Sequence, residues 1–183
     1  MDGLWRCGSL DRLTLSLDVV IRPCGPQDLE GLEWSGAFRD QRDLFQAIHQ
    51  RQHLGEVDML VAAVGDVPVG QAWADYRPAA AGKLPMVWGL RVQPAFRRKG
   101  IAARLLGALE GLAMGRGHTG LSLEVEETNL TARRLYARLG YLTVPKHWDR
   151  VAPTIRSSGG RRILLEKRLA GAAQLSAGMA AHG

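Results

Sequence analysis

VQPAFRRKGIAARLLGALE, residues 92–110, decides how the chain is read. An apolar run ends at Pro94, three cations follow at Arg97, Arg98 and Lys99, and Gly100 opens an amphipathic segment. Ile101, Ala102, Leu105, Leu106, Leu109, Leu112 and Ala113 recur at helical spacing and predict a helix over 101–115, ended by Gly115 and Gly117. The start of a helix is already electropositive, because its leading amides lack intrahelical acceptors. Adding cations there is unfavourable unless an anion sits on them. Gly100 has no Cβ, so a ligand can approach the backbone closely. The amides of Arg98, Lys99, Gly100, Ile101, Ala102 and Ala103 would then meet phosphate oxygens at a strand–loop–helix turn. Neither GxxxxGK[ST] nor GxGxxG is present, so this is no Walker or dinucleotide loop. A solvated basic turn is the plainer alternative.

Working outward, DVVIRP reads as a short strand stopped by Pro23. A helix starts after Gly25-Pro26 and breaks near Ser35-Gly36, and Leu44, Phe45 and Ile48 mark the apolar face of its second part. Two β-prone runs flank Gly65-Asp66 and predict a hairpin, and PMVWGLRVQP is another strand. Downstream, GLSLEVEE places Leu121, Leu123 and Val125 on one face, with Glu124 and Glu126 on the other. Thr128 or Asn129 caps the next helix, LTARRLYARL, and Gly140 closes it. YLTV is a short strand, HWDRVAPTIRSSGG a loop, and RRILLEKRL a final strand. Strand, helix, hairpin, strand, helix, strand, helix, strand, strand makes a single α/β domain over 18–169. Residues 1–17 form an N-terminal extension and 170–183 a frayed, small-residue tail.

The chain has 183 residues, 46% hydrophobic and 23% charged, ordinary values for one globular domain. No apolar stretch is long enough to span a membrane, and residues 1–20 lack a signal-peptide layout. A cytoplasmic protein with no membrane partner is expected. Cys7 and Cys24 fit no disulfide or zinc framework and read as small hydrophobes. His49 and His53 are four apart, but no HExxH pattern or third ligand accompanies them, so a surface pair and no metal are expected. The net charge is +6. Its cations cluster at 97–99, 133–138 and 161–168, which favours a local anion site over a nucleic-acid footprint.

The run Arg97, Arg98-Lys99, Gly100, Ile101, Ala102 resembles the Gln/Arg-x-x-Gly-x-Gly/Ala motif of the GCN5-related N-acetyltransferase (GNAT) family. LSLEVEETNLTARRLYARLGY, residues 121–141, is similar to the family's second cofactor-contacting segment, where Asn, Ala, Leu-Tyr and Gly-aromatic recur. The resemblance covers roughly 19–169 and is strongest over 86–144. It implies a mixed, mostly antiparallel central sheet flanked by helices, with a splayed strand pair that binds acetyl-coenzyme A. The pyrophosphate would lie on the amides of Arg98 to Ala103, beside Arg97. The pantetheine arm would run along Leu90, Arg91 and Val92, with the Val92 amide at the thioester carbonyl, where it could stabilise an oxyanion.

The same resemblance implies direct attack by a primary amine in a ternary complex. The amine must lose a proton and the leaving thiolate gains one. Tyr136 is the implied proton donor, also touching the cofactor. Glu124 is the implied base, as in the ribosomal-protein alanine N-acetyltransferase subgroup; Glu126, on the same strand face, and a water relay stay open. Another common base position of the family falls on Met86, which cannot accept a proton. Asn129 would cap its helix and bond the pantetheine. The acceptor could be a protein N-terminus, a lysine or a small amine. Trp34, Trp73, Trp88, His147 and Trp148 could line its pocket or pack in the core, and RRILLEKRL is a candidate edge for a homodimer. A non-catalytic acyl-CoA-binding module of the same fold is the main alternative, and a nucleic-acid-binding protein ranks last.

Overall fold

The computed structural model describes residues 16–80, 82–144 and 161–169. The calls on Cys7, on most of the N-terminal extension, on His147 and Trp148, and on the tail from Ala170 lie outside these residues.

Seven strands form one sheet in the order β1-β2-β3-β4-β5-β7-β6. They are β1 (Val20–Pro23), β2 (Val57–Val64), β3 (Val67–Asp75), β4 (Met86–Val92), β5 (Gly120–Glu126), β6 (Leu142–Thr143) and β7 (Arg162–Arg168). The helices are α1 (Asp28–Gly31), α2 (Arg42–His53), α3 (Arg77–Ala80), α4 (Ile101–Gly115) and α5 (Leu130–Arg138). Every pairing is antiparallel except β4 with β5. The hairpin turns on Gly65-Asp66 as its sequence predicts, with Val64 opposite Val67 and Gly65 at φ +56°.

Both faces of the sheet are covered, which is why β2 and β3 read as nearly unbroken apolar runs. Along β2 the side chains alternate. Leu60 and Ala62 join the core under α4, with Leu105, Leu106 and Leu109; Met59 and Val61 join a second core with Leu32, Phe45 and Ile48. The chain breaks between α1 and α2 where expected, with left-handed Trp34, Ser35 and Gly36.

Three details correct the sequence pattern. Leu112, expected on the apolar face of α4, is 41% exposed; the buried stripe is Ile101, Leu105, Leu106, Leu109 and Ala113. The short α3 carries no apolar periodicity and was not anticipated. RRILLEKRL is not a sheet edge, because β7 lies between β5 and β6.

Candidate active site

The site is built where β4 and β5 part. They pair only at Met86↔Ser122 and Val87↔Leu123, next to the bond from Ser122 N to Pro85 O (2.9 Å). Beyond Val87 the two strands have no paired positions. A bulge accompanies the split. Trp73 faces Trp88, yet Gln71 faces Arg91, so Gly89 and Leu90 together oppose Ala72. Gly89 sits at φ +64°, and a Cβ there would stand 2.6 Å from the Trp73 ring. A lone glycine inside a strand pattern is the signal that marks such a position.

The bulge shifts the alternation of backbone groups along β4. Before it, Pro85 faces β5. After it, Gln93 N donates to Val69 O (2.8 Å), so Gln93 faces β3 and Val92 faces the opening. Val92 O accepts from Arg97 Nε (3.0 Å), consistent with that direction. Leu90 and Val92 therefore present their backbone polar groups to the split, and their side chains pack against the core under α4. Arg91 departs from the expected role beside them. It is in register with Gln71 of β3, and its guanidinium reaches over Phe38 on the other side of the sheet.

At the end of the split lies the basic turn. Arg98 has φ +62° and Gly100 φ +81°, so left-handed residues alternate there and form a concave nest of amides. Nothing approaches within 4 Å of a Cβ built on Gly100, which leaves open space above the backbone. The first intrahelical bond of α4 runs from Arg104 N to Gly100 O (3.1 Å), so the amides of Ile101, Ala102 and Ala103 have no acceptor within the helix. Arg97, Arg98 and Lys99 are exposed around them. Free amides, open space above Gly100 and three exposed cations make this turn suited in charge to an anion.

A cleft of about 520 Å³ opens from the split. Glu124 and Tyr136, far apart in the chain's elements, both line it; Glu126 is not among its lining residues. Glu124 projects from β5 and receives Arg162 Nη1 at 3.4 Å. Tyr136 is held on α5 by packing against Tyr141, ring centroids 6.1 Å apart. Burial pushes the Tyr136 hydroxyl's pKa up, and it makes no hydrogen bond among the described residues. The nearby arginines do not draw it towards phenolate; Arg133, for one, donates to Glu127 O (3.0 Å). Asn129 caps α5 through Oδ1 and Ala132 N (3.1 Å).

Other candidates leave the chemistry. Burial pushes the Cys24 thiol up to about 12, which removes it as a nucleophile. His49 is not on the surface as expected but buried, its ring centroid 4.7 Å from that of exposed His53, and burial lowers its pKa. No group of metal-binding side chains occurs among the described residues. No described helix is long and apolar enough to cross a membrane. Trp73 packs in the core edge-on to Trp88 (5.1 Å), and both line the cleft.

β4 and β5 thus part beside a basic turn of free amides, and the cleft at the split is lined by a carboxylate and a tyrosine. Residues 27–141 match the acetyltransferase (GNAT) family, and the chain belongs to that family. A [ribosomal protein bS18]-alanine N-acetyltransferase of Haemophilus ducreyi is 38% identical over 64 residues, 34% of this chain and 44% of that relative. The chain thus aligns with less than half of that protein's length. Among solved structures, PaiA N-acetyltransferase of Thermoplasma acidophilum in complex with coenzyme A superposes with a TM-score of 0.67 at 16% identity, covering 84% of this chain and all of that one. Arabidopsis thaliana NAA60 with a bisubstrate analogue gives 0.63 at 22%, covering 85% and 100%. Ard1 of Thermoplasma volcanium gives 0.66 at 19%, covering 83% and 98%.

Proposed function

We propose that the chain transfers an acetyl group from acetyl-CoA to a primary amine by direct attack in a ternary complex. The observation that carries this reading is the nest at Arg98–Gly100, continuous with the backbone groups that Leu90 and Val92 turn into the β4/β5 split. The nest and the free amides of Ile101 to Ala103 hold the pyrophosphate, with Arg97, Arg98 and Lys99 around it. Acetyl-CoA supplies an activated thioester beside Val92, whose N–H is placed to receive negative charge from its carbonyl. Glu124 takes the proton of the attacking amine, directly or through water. Tyr136 hands its proton to the departing sulfur, and its raised pKa keeps it protonated at neutral pH. The amine enters along the wall of Phe38, Trp73 and Trp88. A protein N-terminus is the acceptor class we favour, supported by the likeness to the bS18-alanine enzyme over 64 residues.

Calorimetric titration tests the cofactor half. Acetyl-CoA should bind in the micromolar range and dephospho-CoA in parallel, while an Arg97→Glu, Arg98→Glu variant should lose at least ten-fold in affinity. A folded wild-type protein that binds neither would end the proposal.

A further inference from the structure

Arg91 brings a positive charge to the wall of the cleft, and among the described residues no carboxylate pairs with it. Its guanidinium carbon lies 3.9 Å from the Phe38 ring centroid, 5.1 Å from that of Phe45 and 5.4 Å from that of Trp34. Nη1 donates to Gln41 Oε1 at 3.2 Å. The fully buried Gln71 amide, turned so that its oxygen faces the guanidinium, accepts from Nη2 at 2.6 Å and Nε at 3.1 Å. A guanidinium has five N–H groups. These bonds use three, which leaves one on each Nη.

The two carboxylates that line the cleft are already taken. Asp75 is shared by Arg51 (2.8 Å) and Arg77 (2.9 Å), and Glu124 faces Arg162. Among the described residues no ion pair includes Arg91, and the one charge that acts on it from outside contact is that of Asp40. Burial lowers its pKa to about 10, which still leaves it charged at neutral pH. A half-buried cation without a counter-ion is costly, because aromatic faces and amide oxygens replace only part of its hydration. They do hold the fork rigid. Phe38 and Gln41, which hold it, line the same cleft as Glu124 and Tyr136. The arrangement is a preorganised anion receptor on the acceptor side.

We infer that Arg91 recognises an anionic group on the acceptor, so that the substrate class is an amine carrying a carboxylate near the reacting nitrogen. The two spare Nη N–H groups donate to the carboxylate as a fork. This deepens the acetyl-transfer reading and rests on it. It also separates this chain from acceptors with basic residues beside the amine, because a second cation would meet Arg91 in a poorly screened site.

The test uses CoA conjugates in which an acetyl linker joins the sulfur to the α-amine of Ala-Glu amide, Ala-Gln amide, Ala-Lys amide or Ala-Gln with a free C-terminal carboxylate. Calorimetry with the full chain reads the affinities. Either carboxylate conjugate should bind about ten-fold or more tightly than Ala-Gln amide, and Ala-Lys amide should be weakest. The two acidic arms say whether a side chain or a chain end supplies the carboxylate. In Arg91→Gln the acid-to-amide ratio should fall to about one. Should that variant fail to fold by circular dichroism, Arg91→Lys takes its place, with a narrowed ratio expected because the fork is lost. Equal affinities for acid and amide in the wild type, or a ratio unchanged by either variant, would overturn the inference while leaving acetyl transfer standing. Silence from every conjugate and from CoA itself would instead remove the acetyl-transfer reading and this inference with it.

Discussion

Tyr136 is half hydrophobe and half acid. Its ring packs on Tyr141, and the residue lines the same cleft as Glu124. Burial raises its pKa, so the proton-donor form persists through neutral and mildly alkaline pH. Tyr136→Phe removes one oxygen and leaves the packing. We expect kcat to fall about 10²-fold or more with the KM for acetyl-CoA changed little, read by steady-state kinetics. An unchanged kcat would assign the donor to water. At this scale the sequence made Arg97, Arg98, Lys99 and Gly100 legible as an exposed basic turn before a helix. Their roles depend on a local backbone turn, and a glycine at φ +81° announces itself as glycine. Arg91 was misplaced for the opposite reason. Its surroundings come from Gln71 on the neighbouring strand and from residues 38–45, which no local pattern links to β4.

At the scale of the element, β4 does its work through one extra residue. Gly89 takes a left-handed turn with the Trp73 ring against it, and this sets which backbone groups face the split. Gly89→Ala adds a strained φ and a 2.6 Å clash with that ring. It should destabilise the fold by about 2–4 kcal/mol in urea titrations and weaken acetyl-CoA binding. Gly111, exposed on the outer face of α4, is a contrasting position, with nothing within 4 Å of an added Cβ. Gly111→Ala should stabilise by about 0.5–1 kcal/mol in the same titration, since only helix propensity changes there. A loss at Gly111 or a neutral result at Gly89 would contradict these geometries. The strands and long helices were readable because their apolar periods are strong. The bulge was not inferred, although the isolated glycine was visible, because its parity depends on how β3 pairs.

Across the whole molecule, Asp75 ties three elements. From the end of β3 it receives Arg51 of α2 and Arg77 of α3. Burial by itself would raise its pKa, but hydrogen bonds from Arg77 and Arg51 outweigh this and hold the carboxyl below its usual value. A depressed folded pKa gives stability that is present above the unfolded value, near 3.8, and lost as pH falls through the folded value. Asp75→Asn should therefore lower the urea midpoint at pH 7 and flatten its decline below about pH 4, so that mutant and wild type converge in acid. Parallel declines would show that Asp75 contributes no such linkage. The sequence by itself determined the order of the strands and of the helices other than α3, and it offered the basic turn before α4 and the pair Glu124 and Tyr136 as candidates. Those features rest on periodicity, on caps and on a glycine, all local in the chain. The tertiary structure alone decided that β4 leaves β5 after Val87, that β7 is an inner strand, and that Arg91 lies over Phe38 in the wall of the cleft. Each of these depends on which strands lie side by side, and that is settled only when both faces of the sheet are buried.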